Sequence, residues 1–182
     1  MSDLQTALKN NEASKETLFT PPDYLSFRLN SQGTYLSYIG TDENGVPNLF
    51  IADGINVLTA KALSFYDAPG IIQFFWSGKG DKILLLKDER GAGKLRIHLY
   101  DIHNKEISDL SEDFQNSSSL ILKMHSTENK AIVGFNERNP NFHDLYLVDL
   151  DTKEKKLVLE NDSFAKFLFS DELELILKIA LK

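Results

Sequence analysis

Leu49-Phe50-Ile51-Ala52-Asp53, Ile97-His98-Leu99-Tyr100-Asp101 and Leu145-Tyr146-Leu147-Val148-Asp149 are three copies of one short strand ending in an acid, and their aspartates stand 48 residues apart. A fixed period of this size marks a repeat architecture, in which each repeat is a unit that buries its apolar faces against its neighbours.

Working outward from these strands, a second unit recurs upstream of each aspartate: an apolar strand, a small polar turn and another apolar strand. Its copies begin at Tyr24, Ile71, Leu120 and Phe164. The turns read Asn30-Ser31-Gln32-Gly33, Ser77-Gly78-Lys79-Gly80, Ser126-Thr127-Glu128-Asn129 and the shorter Ser170-Asp171-Glu172. Gly33, Gly80 and Asn129 are the residue types that tight hairpins place at positive φ, where a Cβ is costly. The second strand of each unit, such as Ile83-Leu84-Leu85-Leu86, is almost wholly apolar, as a strand covered on both faces should be.

Downstream of each aspartate come a polar turn and a further short strand, as in Lys156-Leu157-Val158-Leu159. Four strands in about 48 residues is the make-up of a propeller blade. The expected fold is therefore all-β: a partial β-propeller of four-stranded antiparallel blades, three complete and a fourth begun. A β-sandwich shares the strand spacing but has no reason to repeat at a constant interval. The blades are expected at about 23–69, 70–118, 119–162 and, in part, 163–182, behind a lead segment over 1–22. Helical periodicity is weak except around Leu4-Gln5-Thr6-Ala7-Leu8.

With 42% hydrophobic residues in 182, the chain can bury a substantial core. Its net charge of -7 argues against nucleic acid, which demands clustered positive charge. No cysteine is present, which excludes disulfides, thiolate metal sites and a cysteine nucleophile, and suits a reducing compartment. Met1 to Thr17 hold no apolar stretch of signal-peptide length, and nowhere do about 18 apolar residues run together. The expectation is a cytoplasmic protein that engages no membrane.

The pattern Trp76-Ser77-x-x-Gly80-x-x-Ile83-Leu84, the strand Asn48-Leu49-Phe50, and the stretch from Phe135-Asn136-Glu137-Arg138-Asn139-Pro140 through Asp144-Leu145-Tyr146 to Val148-Asp149-Leu150-x-Thr152 resemble the propeller of bacterial prolyl-oligopeptidase-type serine peptidases, the acylaminoacyl-peptidase-like branch in particular. The hairpin turns are also similar to those of TolB-like propellers. The resemblance implies an accessory domain that filters substrates and covers an α/β-hydrolase domain bearing a Ser-Asp-His triad. The turns depart from the family's Ser-Pro-Asp-Gly form, and the sequence given stops within the fourth repeat.

No Gly-x-Ser-x-Gly nucleophile elbow occurs, so hydrolysis by this chain alone is not expected, and its serines read as turn and cap residues. His98, His103, His125 and His143 lack the spacing of a zinc site, and His125 stands where Trp76 ends its strand, so structural roles are expected and no metal or cofactor is implied. Gly91-Ala92-Gly93-Lys94 fails as a phosphate loop because Asp88 and Leu95 occupy its defining positions; a hairpin loop explains it better. Asp42-Glu43-Asn44-Gly45 is too short for a calcium loop and reads as a turn.

The candidate binding residues are Asn136, Arg138 and Asn139. A loop carrying a planar guanidinium can hold a carboxylate, such as a peptide C-terminus, in a bidentate grip; the structural alternative is that Arg138 pairs with a neighbouring acid. A run of blades that does not close leaves apolar faces open, so self-association through those faces is expected. Two functions lead: the non-catalytic propeller portion of a serine peptidase, gating access to a hydrolase domain, or a free-standing TolB-like scaffold for a protein partner; a metal-dependent small-molecule hydrolase with its site in a propeller channel is the weaker third.

Overall fold

In the computed structural model, which describes residues 24–63, 70–88 and 93–180, the chain forms fourteen strands in four antiparallel sheets. The first sheet orders β1 (Tyr24–Leu29), β2 (Tyr35–Thr41), β3 (Pro47–Asp53) and β4 (Lys61–Ala62) side by side. The second repeats this with β5 (Ile71–Trp76), β6 (Lys82–Asp88), β7 (Leu95–Asp101) and β8 (Glu106–Asp109). The third does so with β9 (Ser119–Met124), β10 (Lys130–Asn139), β11 (Phe142–Asp149) and β12 (Lys155–Leu159), and a two-stranded sheet of β13 (Phe164–Phe169) and β14 (Leu175–Ala180) follows. This is the partial propeller expected from the repeat. The lead segment over 1–22, with its apolar pattern at Leu4 to Leu8, lies outside the described residues, as do Gly91 and Ala92.

Period-two alternation on the second strand of each sheet builds the core, because successive side chains point to opposite faces. In β6, Ile83 and Leu85 pack toward the first sheet, while Leu84 and Leu86 pack toward the third. In β10, Ala131, Val133 and Phe135 meet the second sheet, whereas Ile132 meets the fourth. All these residues are buried. The core is thus a series of three apolar seams between neighbouring sheets.

The turn between the first two strands of each sheet is held by a polar side chain directly after the first strand. Asn30 Oδ1 accepts from the backbone N–H of Thr34 and Tyr35, Ser77 Oγ from that of Lys82, His125 Nδ1 from Thr127 and Glu128, and Ser170 Oγ from Glu172 and Glu174. His125 therefore matches Ser77, and Met124 stands in the place of Trp76, which corrects the sequence alignment by one residue. Gly33 and Gly80 do lie at positive φ, but Asn129 does not. With His125 capping the third turn, Asn129 is freed from it. Its side chain is buried and reaches Asp151 instead.

The turns after the second and third of the repeated aspartates are equally regular. Asp101 Oδ1 accepts from the N–H of His103 and Asn104, Asp149 Oδ1 from that of Asp151 and Thr152, and the chain reverses at Lys105 and Lys153, both left-handed. Asp42 likewise closes its own turn through Asn44 and Val46, with Gly45 at positive φ.

Candidate functional site

Asn136, Arg138 and Asn139 were expected on a loop; they form the end of β10, which runs on through a register shift between Phe135 and Asn139 before turning into β11. Asn136 Oδ1 accepts from Ser118 N and its amide donates to Pro140 O, while Asn139 Oδ1 accepts from Asn141 N. Arg138 grips Asp144 with Nε and Nη2, donates from Nη2 also to Asn161 O, and reaches Asp162 with Nη1 at 2.7 Å. All three side chains are thus engaged within the chain. The Arg138 hydrogen bonds hold the Asp144 carboxyl below the usual range despite its burial, with help from Asn161 N–H.

The histidines do not converge. His125 caps a turn, His103 is exposed, His98 lies opposite Leu85 and Asp109 within the second sheet, and His143 is half-buried, where burial lowers its pKa against an opposing interaction with the Ser118 backbone. Among the described residues no three histidine or acidic side chains gather where a metal ion could sit.

The seam between the second and third sheets carries a charged cluster that sequence reading missed, since its members lie up to 72 residues apart. Lys82 Nζ sits 3.1 Å from Asp101 and 3.2 Å from Asp151, and Lys79 Nζ lies 3.0 Å from Asp151. Asn129 Nδ2 donates to Asp151 at 2.8 Å. The Asn129 hydrogen bond, with those from Lys79 and Lys82, draws the Asp151 pKa down to about 2. Burial pulls Lys82 down, but Asp101 and Asp151 outweigh it and leave its pKa raised. Asp81 adds a third carboxylate 3.7 Å from Lys82, and the cluster works as a latch between blades.

Against this architecture, the comparisons with known proteins are coherent. The chain is 28% identical over 150 residues to dipeptidyl aminopeptidase BIII of Pseudoxanthomonas mexicana and 28% identical over 165 residues to dipeptidyl peptidase family member 6 of Caenorhabditis elegans. These alignments cover 82% and 87% of this chain. They cover 22% of each relative, so the chain spans about a fifth of the length of the curated proteins it matches. By structure it superposes on TolB from Acinetobacter baumannii with a TM-score of 0.56 at 13% identity, covering 82% of this chain and 36% of that one. It also superposes on the β-propeller domain of the trilobed protease from Pyrococcus furiosus, with a TM-score of 0.52 at 18% identity, covering 78% and 45%. The chain has the fold of a partial β-propeller like that of TolB.

No family model matches it. Among the described residues of this propeller, no helix is long and apolar enough to cross a membrane. Among the described residues the one helical element is the 3-10 turn Val57–Thr59, capped by Asn56 Oδ1 accepting from Leu58 N.

Proposed function

We propose that this propeller is the non-catalytic portion of a prolyl-oligopeptidase-type serine peptidase, and that its blades gate and shape access to a hydrolase domain carried elsewhere. The observation that carries the reading is the identity to two dipeptidyl peptidases across more than four-fifths of the chain, on a fold shared with a protease propeller. On this reading the chain has no nucleophile of its own, takes no cofactor and works in the cytoplasm. Asn136, Arg138 and Asn139 form a polar station for a peptide carboxylate. An incoming carboxylate would displace the exposed Asp162 from Arg138 Nη1 and leave the buried Asp144 in place.

The test is chemical. A fluorophosphonate probe should leave the purified chain unlabelled, and the coding sequence beyond residue 182 should encode a Gly-x-Ser-x-Gly elbow followed by Asp and His. Labelling of a serine within the 182 residues would overturn the reading.

The structural match to TolB favours a second reading, a free-standing scaffold that presents blade loops to a protein partner. A stoichiometric partner recovered on the immobilised chain, with no hydrolase sequence downstream, would select it.

A further inference from the structure

The turn between β9 and β10 joins three sheets at once. Glu128 O accepts from Gly78 N in the second sheet, and Ser126 N donates to Asp171 O in the fourth. Both links run through main-chain atoms of the turn, so they hold only while the turn keeps its shape. That shape rests on His125, whose Nδ1 accepts from Thr127 N at 3.2 Å and from Glu128 N at 3.1 Å.

In the other three turns Asn30, Ser77 and Ser170 do the same work with a side-chain oxygen. None of these three changes charge with pH. Imidazole is the side chain that gains a charge between about pH 8 and pH 5, and a ring nitrogen that carries a proton donates and no longer accepts. Protonation at Nδ1 therefore ends both hydrogen bonds and sets one N–H against two others.

The surroundings give the charged ring a second position. His125 borders a cavity of about 320 Å³ whose charged lining is Glu128, Lys130 and Glu172. Glu128 is paired with Lys130, Lys79 of the second turn lines the adjoining cleft, and Asp171 is paired with Lys123. Glu172 takes part in no ion pair among the described residues, so its carboxylate is open to an imidazolium turned into the cavity.

We infer that His125 is a proton-sensitive joint. Neutral, it locks its turn and through it the second, third and fourth sheets; protonated, it leaves the turn for Glu172 and releases both main-chain links. The ion pairs Lys79–Asp151 and Lys123–Asp171 remain, so the sheets slacken at this end without separating. Every group involved lies in the described turns, and the inference does not depend on the peptidase reading.

Amide hydrogen exchange of the full 182-residue chain tests it at about pH 7.5 and about pH 5, on either side of the imidazole range, with each rate taken relative to an unstructured amide at the same pH. In the wild type, protection at Gly78, Ser126, Thr127 and Glu128 should fall by about tenfold between the two, the scale of losing two backbone hydrogen bonds. His125→Ser copies the caps of Ser77 and Ser170 without the titrating ring and should hold its protection at both pH values. His98, His103 and His143 are unchanged in that variant, so the contrast isolates His125. Wild-type protection that is equal at the two pH values would overturn the inference, and so would an equal loss in His125→Ser. A nitrogen-15 spectrum at the higher pH that places the His125 proton on Nδ1 would overturn it as well.

Discussion

Arg138 holds Asp144 in a two-point grip, Nε to Oδ2 at 2.9 Å and Nη2 to Oδ1 at 2.7 Å, and Asp144 Oδ1 in turn receives the backbone N–H of Asn161 at 2.7 Å. The Asp144 side chain is 6% exposed, so its carboxylate relies on these donors in place of water. Arg138→Ala should therefore destabilise the chain by about 1–3 kcal/mol, the cost of leaving a buried charged acceptor short of partners. Asp162→Asn removes only an exposed contact and should cost less than about 0.5 kcal/mol. Urea denaturation of the two variants checks the contrast, and equal losses would contradict it.

Gly78 is small for a reason unrelated to its own backbone angle. A Cβ there would lie 2.5 Å from Glu128 N and 2.6 Å from Thr127 C, in the turn of the next sheet, and Gly78 N donates to Glu128 O across the same gap. Gly33 stands at φ +69 with nothing within 4 Å of a Cβ. Gly78→Ala should force the second and third turns apart and cost about 1–3 kcal/mol by overpacking, while Gly33→Ala should cost about 1 kcal/mol of backbone strain. Hydrogen exchange distinguishes the mechanisms: protection at the amide of position 78, which donates to Glu128 O, should fall in the first variant and hold in the second.

The repeat was readable because alternation and spacing are local properties of the chain. The strands ending at Asp53, Asp101 and Asp149 end there in the structure, and Ile83 to Leu86 are buried on both faces as a doubly covered strand must be. What escaped were features decided by partners distant in sequence. Asn136 to Asn139 look like a loop by composition, but pairing of Asn139 with Phe142 extends the strand. Asn129 has the composition of a turn residue, yet Asp151 of the same sheet claims its amide. A signal for the caps was present: Asn30, Ser77, His125 and Ser170 each follow a repeated apolar strand directly, at nearly the same interval. Of the candidate site, the pairing of Arg138 with a nearby acid was readable from its residue type. The Lys79, Lys82 and Asp151 latch was not, because nothing local links them.

Trp76 reports on the first seam. Its Nε1–H donates to Ser37 Oγ at 2.7 Å, with both residues buried, and its ring stacks on Tyr35. Ser37→Ala leaves the indole N–H without an acceptor and should cost about 1–3 kcal/mol, whereas removing both partners in Ser37→Ala with Trp76→Phe should cost less than the sum of the single changes. A double-mutant cycle by urea denaturation measures the coupling. Trp76 is the sole tryptophan, so its emission follows this seam alone in the Ser37 variant.

The Asp151 latch sets an acid limit on the second seam. Its folded-state pKa of about 2 lies below the usual 3.8, so the charged form is favoured by folding. The stabilisation is fully present above about pH 4, where the unfolded carboxyl is also ionised, and is lost as pH falls toward 2. Asp101 and Asp149, also lowered, add to the same limb. With Asp151 43% exposed, solvent screening limits its share to about 1 kcal/mol. Asp151→Asn should therefore lower the thermal midpoint at pH 6 by about 2–4 °C, and leave it nearly unchanged at pH 2. Melting curves at both pH values decide the matter: a deficit in the variant that persists undiminished at pH 2 would show that Asp151 acts through packing and not through its charge.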